Sequence, residues 1–113
     1  MRTMNRAAVI VRHREPFHHW ARGIDLSARL NAIALDGHVS IYLVPEDLRG
    51  ENEAPPMTDF FIEIFEAELE KWCADASLWP APRDFGTFRA WFEITTQSLV
   101  VDLGWDPIKV EKL

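Results

Sequence analysis

One carboxylate lies on the apolar side of the longest predicted helix, which covers about residues 59–74. That side would rest on a sheet, and its members are Met57, Phe61, Ile64, Phe65, Leu69 and Trp72. A helical wheel places Glu68 among them. Because an unpaired buried charge is costly, Glu68 must reach the edge of the interface or find a partner. We expect a structural ion pair with Arg12 or His13, which end the first predicted strand, and a lowered pKa for Glu68.

Glu68 also has an alternative, catalytic interpretation. A carboxylic acid enclosed by apolar side chains has a raised pKa and is suited to general acid or base chemistry. A nearby histidine would assist it, so Glu68 and His13 are the catalytic candidates of this sequence. On this interpretation the chain is a small enzyme or ligand-binding domain with an acidic residue in an aromatic pocket.

Three histidines close together raise the question of a metal site. His13, His18 and His19 lie within seven residues of one another, and Glu15 lies between the first two. His18 and His19 do not share a helix face, and His13 belongs to the end of a strand. A further ligand would have to come from elsewhere, such as His38. The sequence therefore favours ordinary histidines over a metal site.

The well-known signatures of enzymes are missing. Cys73 is the single cysteine, which excludes an intrachain disulfide and a multi-cysteine zinc site, and its acidic neighbours disfavour a thiolate. The five glycines form no nucleotide-binding loop, and no serine lies in a nucleophile-elbow motif. We expect no cofactor and lean towards a non-enzymatic protein.

The charge of the chain disfavours two classes of partner. The net charge of -6 should repel nucleic acid and anionic membranes. Four arginines (Arg2, Arg6, Arg12 and Arg14) nevertheless precede the first acidic residue. We expect them to pair with the acidic second half, in the same molecule or across a dimer, and a nucleic-acid-binding arm is the alternative.

The other face of the long helix is acidic. Asp59, Glu63, Glu66 and Glu70 form a stripe along it. We expect this stripe to be solvated, and binding of a divalent cation or a basic partner is the alternative.

Five tryptophans are many for 113 residues, and most of them must be in the core. Trp79 and Trp105 are different because they lie in turn sequences close to prolines. A partly exposed tryptophan can anchor a protein partner, so Trp79 and Trp105 are the interface candidates. Packing within their own loops is the alternative.

The pattern along the chain predicts the element order β-α-β-α-α-β. The apolar run at 6–12 suggests a central strand covered on both faces, and alternation from 39 to 44 suggests a second strand. The remaining predictions are a helix from Pro16 to Ile24, a doubtful turn after Ser27, the long helix with Thr58 as its cap, a short helix starting at Asp84, and a strand within 93–103.

These elements predict one α+β domain over residues 1–113, with a three-stranded sheet covered by about three helices. Residues 46–56 are expected to form an internal loop, and 108–113 a tail that frays or docks on the sheet. The chain lacks a signal-peptide core and a membrane span, so we expect a cytoplasmic protein. Exposed sheet edges favour a homodimer or another protein partner.

Three short motifs resemble a known group. Val-Pro-Glu at 44–46, Ser-Leu-Trp-Pro at 77–80 and Trp-Phe at 91–92 are similar to small bacterial conserved hypothetical proteins of unknown function. The resemblance would cover most of the chain. It implies no activity, cofactor or catalytic residue.

Overall fold

The computed structural model describes residues 1–24, 39–46 and 57–112, without the side chains of 57–59. The expectations for Ser27, for His38 and for the loop after Glu46 lie outside the described residues. Within the described part of the chain, no helix is long and apolar enough to cross a membrane.

The fold is a small α+β domain, as predicted. Its elements in chain order are β1 (Arg2–Thr3), β2 (Arg6–His13), α1 (Glu15–Ile24), β3 (Val39–Pro45), α2 (Met57–Glu70), a 3-10 turn (Ala76–Leu78), α3 (Phe85–Trp91), β4 (Phe92–Gln97) and β5 (Val101–Asp102). An antiparallel sheet has the strand order β3-β2-β4, and β1 pairs with β5 in a separate antiparallel ribbon. The expected three-stranded sheet with β2 at its centre is therefore confirmed.

The described helices cover the central strand β2 on one face. Its odd-numbered residues Ala7, Val9 and Val11 are buried against the helices, whereas Ala8 and Ile10 are half-buried. The three described helices all place their core residues on one side of this sheet. Within the described residues no helix covers the opposite face, which differs from the prediction of a strand covered on both faces. An antiparallel sheet can leave its second face uncovered.

Some helix ends differ from those predicted. Helix α2 begins at Met57, so Thr58 lies inside the helix and does not cap it. It ends at Glu70 and not at 74, because the amides of Trp72 and Cys73 both donate to the carbonyl of Leu69 in a closing turn. Asp84 caps α3 as expected, and its carboxylate accepts from the amide of Thr87 at 2.7 Å.

Aromatic rings fill the space between the helices and the sheet. Phe65 of α2 is fully buried and lies 5.3–6.0 Å, ring centre to ring centre, from Phe88, Trp91 and Phe92. Phe17 of α1 joins the same cluster through Trp91 and Phe92. This packing fixes the orientation of α2 on the sheet and so determines where Glu68 points.

Candidate functional site

A buried polar cluster surrounds Glu68, whose side chain is 0% exposed. One carboxylate oxygen, Oε1, lies 2.8 Å from His13 Nε2 and accepts from Ser40 Oγ at 3.2 Å. The other, Oε2, accepts from the Tyr42 hydroxyl and from Lys71 Nζ, the latter at 2.6 Å. The expected partner His13 thus contacts the Glu68 carboxylate at hydrogen-bond distance, and Lys71 forms an ion pair with that carboxylate.

Strand alternation explains why His13 is the partner and Arg12 is not. His13 follows Val9 and Val11 on the helix-facing side of β2, and its side chain is 1% exposed. Arg12 points to the opposite side of the sheet and is exposed, so the prediction of Arg12 as a partner is wrong.

The remaining partners come from β3 and from the turn that follows α2. Ser40 and Tyr42 alternate with exposed residues along β3 and face the helices. Lys71 lies one turn beyond Glu68, at a spacing of three residues, and reaches back to the carboxylate from the surface. Lys71 Nζ also donates to Ser40 Oγ at 2.9 Å, so the cluster is cross-linked by hydrogen bonds.

The electrostatics of the cluster keep Glu68 ionised. Burial raises the pKa of Glu68, but hydrogen bonds from His13, Lys71 and Tyr42 outweigh it and lower the pKa to about 2. The interpretation of Glu68 as a pocket acid with a raised pKa is therefore wrong. A carboxylate offers about four acceptor positions, and these four donors use them. The cluster thus acts as an internal connection between β2, β3 and α2.

His13 is enclosed by rings. It stacks on Phe17 at 3.8 Å between ring centres and meets Phe92 edge-on at 5.8 Å. His18 approaches His13 edge-on at 6.2 Å, whereas His19 is exposed. Within the ranges that the structure describes, no group of three or more histidine, cysteine or acidic residues could hold a metal ion.

A cavity of about 260 Å³ lies between β3 and α2. It is lined by Tyr42, Leu43, Val44, Phe60, Glu63, Ile64 and Ala67. Glu68 does not line this cavity, and Tyr42 is the member of the polar cluster that does. This cavity is therefore not the predicted aromatic pocket around Glu68.

Tyr42 is the single tyrosine of the chain, so its ionisation can be followed by ultraviolet absorbance. Burial and the hydrogen bond to Glu68 raise the pKa of the Tyr42 phenol well above its ordinary value of 10.0. We expect no phenolate absorbance from the folded protein near pH 11, and ordinary titration once denaturant unfolds it. Ordinary titration of the folded protein would contradict the hydrogen bond to Glu68.

The two candidate interface tryptophans lie in different environments. Trp79 is half-buried, its indole N–H donates to the carbonyl of Cys73 at 2.8 Å, and the Arg83 guanidinium lies 5.6 Å from its ring centre. Trp105 is 98% exposed. Trp79 is therefore held by its own chain, whereas Trp105 is presented to solvent.

Trp105 belongs to residues 98–112, which we call the C-terminal arm. β5 anchors the arm to β1, and the amide of Met4 donates to the carbonyl of Val100 at 2.8 Å. Arg2 binds the Asp102 carboxylate at 2.5 Å and donates to the carbonyls of Gly104 and Asp106. The expected pairing of the basic start with the acidic second half is confirmed for Arg2.

The arm carries six exposed large apolar side chains, which are Leu99, Val101, Leu103, Trp105, Ile108 and Val110. Sequence reasoning identified Trp105 alone. The missed signal was the spacing of two from Leu99 to Trp105, which is typical of a strand with one apolar side.

Comparison of the chain with protein-family models, with curated proteins and with solved structures finds no match.

Proposed function

We propose that this chain is a non-enzymatic protein-binding module that self-associates through its C-terminal arm. The observation that carries this proposal is the exposure of the arm's apolar side chains, led by Trp105 at 98% and Val110 at 88%. Contiguous apolar patches larger than a few hundred Å² are uncommon on monomers and are typical of interaction sites.

The arm has two properties that favour binding. Hydrogen bonds and an ion pair to residues 2–4 hold the arm from Val100 to Asp106 in place, so ordering this part on association costs less. An exposed tryptophan is the side chain most often found at the energetic centre of an interface. The interface function of Trp79 stays a prediction, since that side chain is engaged within its own chain.

The polar cluster supports a non-enzymatic function. The acceptor positions of Glu68 are used inside the protein, and its lowered pKa makes it a poor general acid or base at neutral pH. Ligand binding in the cavity beside Tyr42 is the alternative function. The cytoplasmic location and the resemblance to small bacterial proteins also stay predictions.

The first test is the oligomeric state of the Trp105→Ser variant. We expect the wild-type protein to form dimers in size-exclusion chromatography with light scattering, over a series of concentrations. Loss of the central tryptophan should raise the dimer dissociation constant by about 100-fold.

The matched control is Leu78→Ser, because Leu78 is also exposed but lies on the 3-10 turn, outside the arm. This variant should dimerise like the wild type. A wild-type protein that stays monomeric at the highest concentration, or equal weakening by both substitutions, would overturn the proposal.

A further inference from the structure

We infer that the C-terminal arm docks on the face of a second copy's three-stranded sheet that lies opposite the described helices, giving a reciprocal two-fold dimer. This inference rests on the proposed function and names the surface that receives the arm.

The receiving surface consists of the side chains that point away from the helices, and we call it the open face. Its rows follow the strand register: Val39, Arg12 and Glu93; then Ile41, Ile10 and Thr95; then Leu43, Ala8 and Gln97. The side towards β3 is apolar and the side towards β4 is polar. The open face therefore has one apolar band with a polar border.

Strand β3 places apolar residues on both of its sides. Its helix-facing side carries Ser40, Tyr42 and the buried Val44, whereas the side that is apolar throughout, Val39, Ile41 and Leu43, lies on the open face. Ile41 is 64% exposed. The hydrogen bonds of Ser40 and Tyr42 to Glu68 explain why these polar residues point inward. They do not explain three large apolar residues outside, which a covering partner does explain.

The available area matches that of a stable dimer. Nine apolar residues contribute to the two surfaces, six on the arm and three on β3. Taking about 150–250 Å² for a large side chain as a guide, their exposed parts amount to roughly 1,000 Å² per chain. A standard interface buries about 800 Å² on each partner. Neither surface covers the other within one chain, since both are exposed.

Charged residues border both surfaces. The open face has Arg12 beside Glu93 at one end and the exposed Arg6 at the other end of β2. On the arm, Asp106 follows Trp105 directly. Each copy carries one arm and one open face, so a two-fold axis would use both contacts twice, as in an isologous interface.

The test compares Ile41→Lys on the open face with Trp105→Ser on the arm. Each variant should have a dimer dissociation constant about 100-fold above that of the wild type. Leu78→Lys, the same change at an exposed leucine elsewhere, should dimerise normally. Thermal melts should show that Ile41→Lys folds, because the side chain lies at the surface.

Mixing the two variants tests the reciprocal contact. The Trp105→Ser chain retains its open face and the Ile41→Lys chain retains its arm, so one intact contact remains. Titrating labelled Trp105→Ser chain with unlabelled Ile41→Lys chain, read by fluorescence anisotropy, should show binding about tenfold tighter than either self-association. No gain on mixing would overturn the arm-to-sheet contact.

The failures of the two proposals are distinguishable. A dimeric Ile41→Lys variant beside a monomeric Trp105→Ser variant would overturn docking on the open face and leave self-association through the arm intact. A monomeric wild-type protein would overturn both.

Discussion

Replacing Glu68 with alanine is expected to lower the free energy of unfolding by about 3–5 kcal/mol, the range for breaking a buried ion pair by removing one partner. The carboxylate receives hydrogen bonds from His13, Ser40, Tyr42 and Lys71. Its removal leaves the enclosed His13 ring and two hydroxyl groups without their acceptor, and it also opens a cavity. The loss of this acceptor would cost Lys71 least, because its side chain is 44% exposed and water can hydrate its ammonium group instead.

Denaturant melts measure this loss. The matched control is Glu66→Ala, two residues earlier on the same helix. Glu66 is partly exposed and lies 3.7 Å from Arg83, a surface pair whose loss should change stability by no more than about 0.5 kcal/mol. Equal and small losses in both variants would mean that the polar cluster does not hold α2 on the sheet.

Acidification is expected to remove about 3 kcal/mol of stability through Glu68 alone. Its pKa is about 2 in the folded protein and 4.5 ordinarily, and each unit of difference corresponds to about 1.36 kcal/mol. Because the folded-state pKa is depressed, the unfolded chain takes up the proton first. The contribution is therefore fully present above pH 4.5 and is lost as the pH falls towards 2.

Other carboxylates act in the same direction. Hydrogen bonds lower the pKa of Glu15 through Arg22, of Asp75 through Ser77, and of Asp84 through Thr87. All are fully exposed, so Glu68 should dominate the loss.

The measurement is the free energy of unfolding from denaturant melts between pH 7 and pH 2. Glu68→Gln keeps the shape of the side chain but cannot titrate, so its stability should vary much less with pH than that of the wild type. Glu66→Gln should retain the wild-type dependence. A Glu68→Gln variant with the full wild-type slope would show that the acid sensitivity arises elsewhere.

The sequence by itself predicted the three strands of the main sheet, the three described helices and the phase of α2, but not the β1–β5 ribbon. The apolar run at 6–12 predicted the central strand, and the 3.6-residue period predicted a helix with Glu68 on its buried side. The position of His13 at the end of the first predicted strand also made it a candidate partner of Glu68. These predictions depend on the spacing of apolar and polar residues along a short stretch of chain, which can be read directly from the sequence.

Only the tertiary structure decided which donors surround Glu68. Ser40 and Tyr42 come from a strand 26–28 residues away, and their inward orientation depends on which side of β3 the helices cover. Alternation defines two sides of a strand without saying which is inside. Hydrophobicity alone favours Val39, Ile41 and Leu43 as the inner side, yet the hydrogen bonds of the buried carboxylate place Ser40 and Tyr42 there. Because side chains alternate along a strand, Val39, Ile41 and Leu43 then face outward.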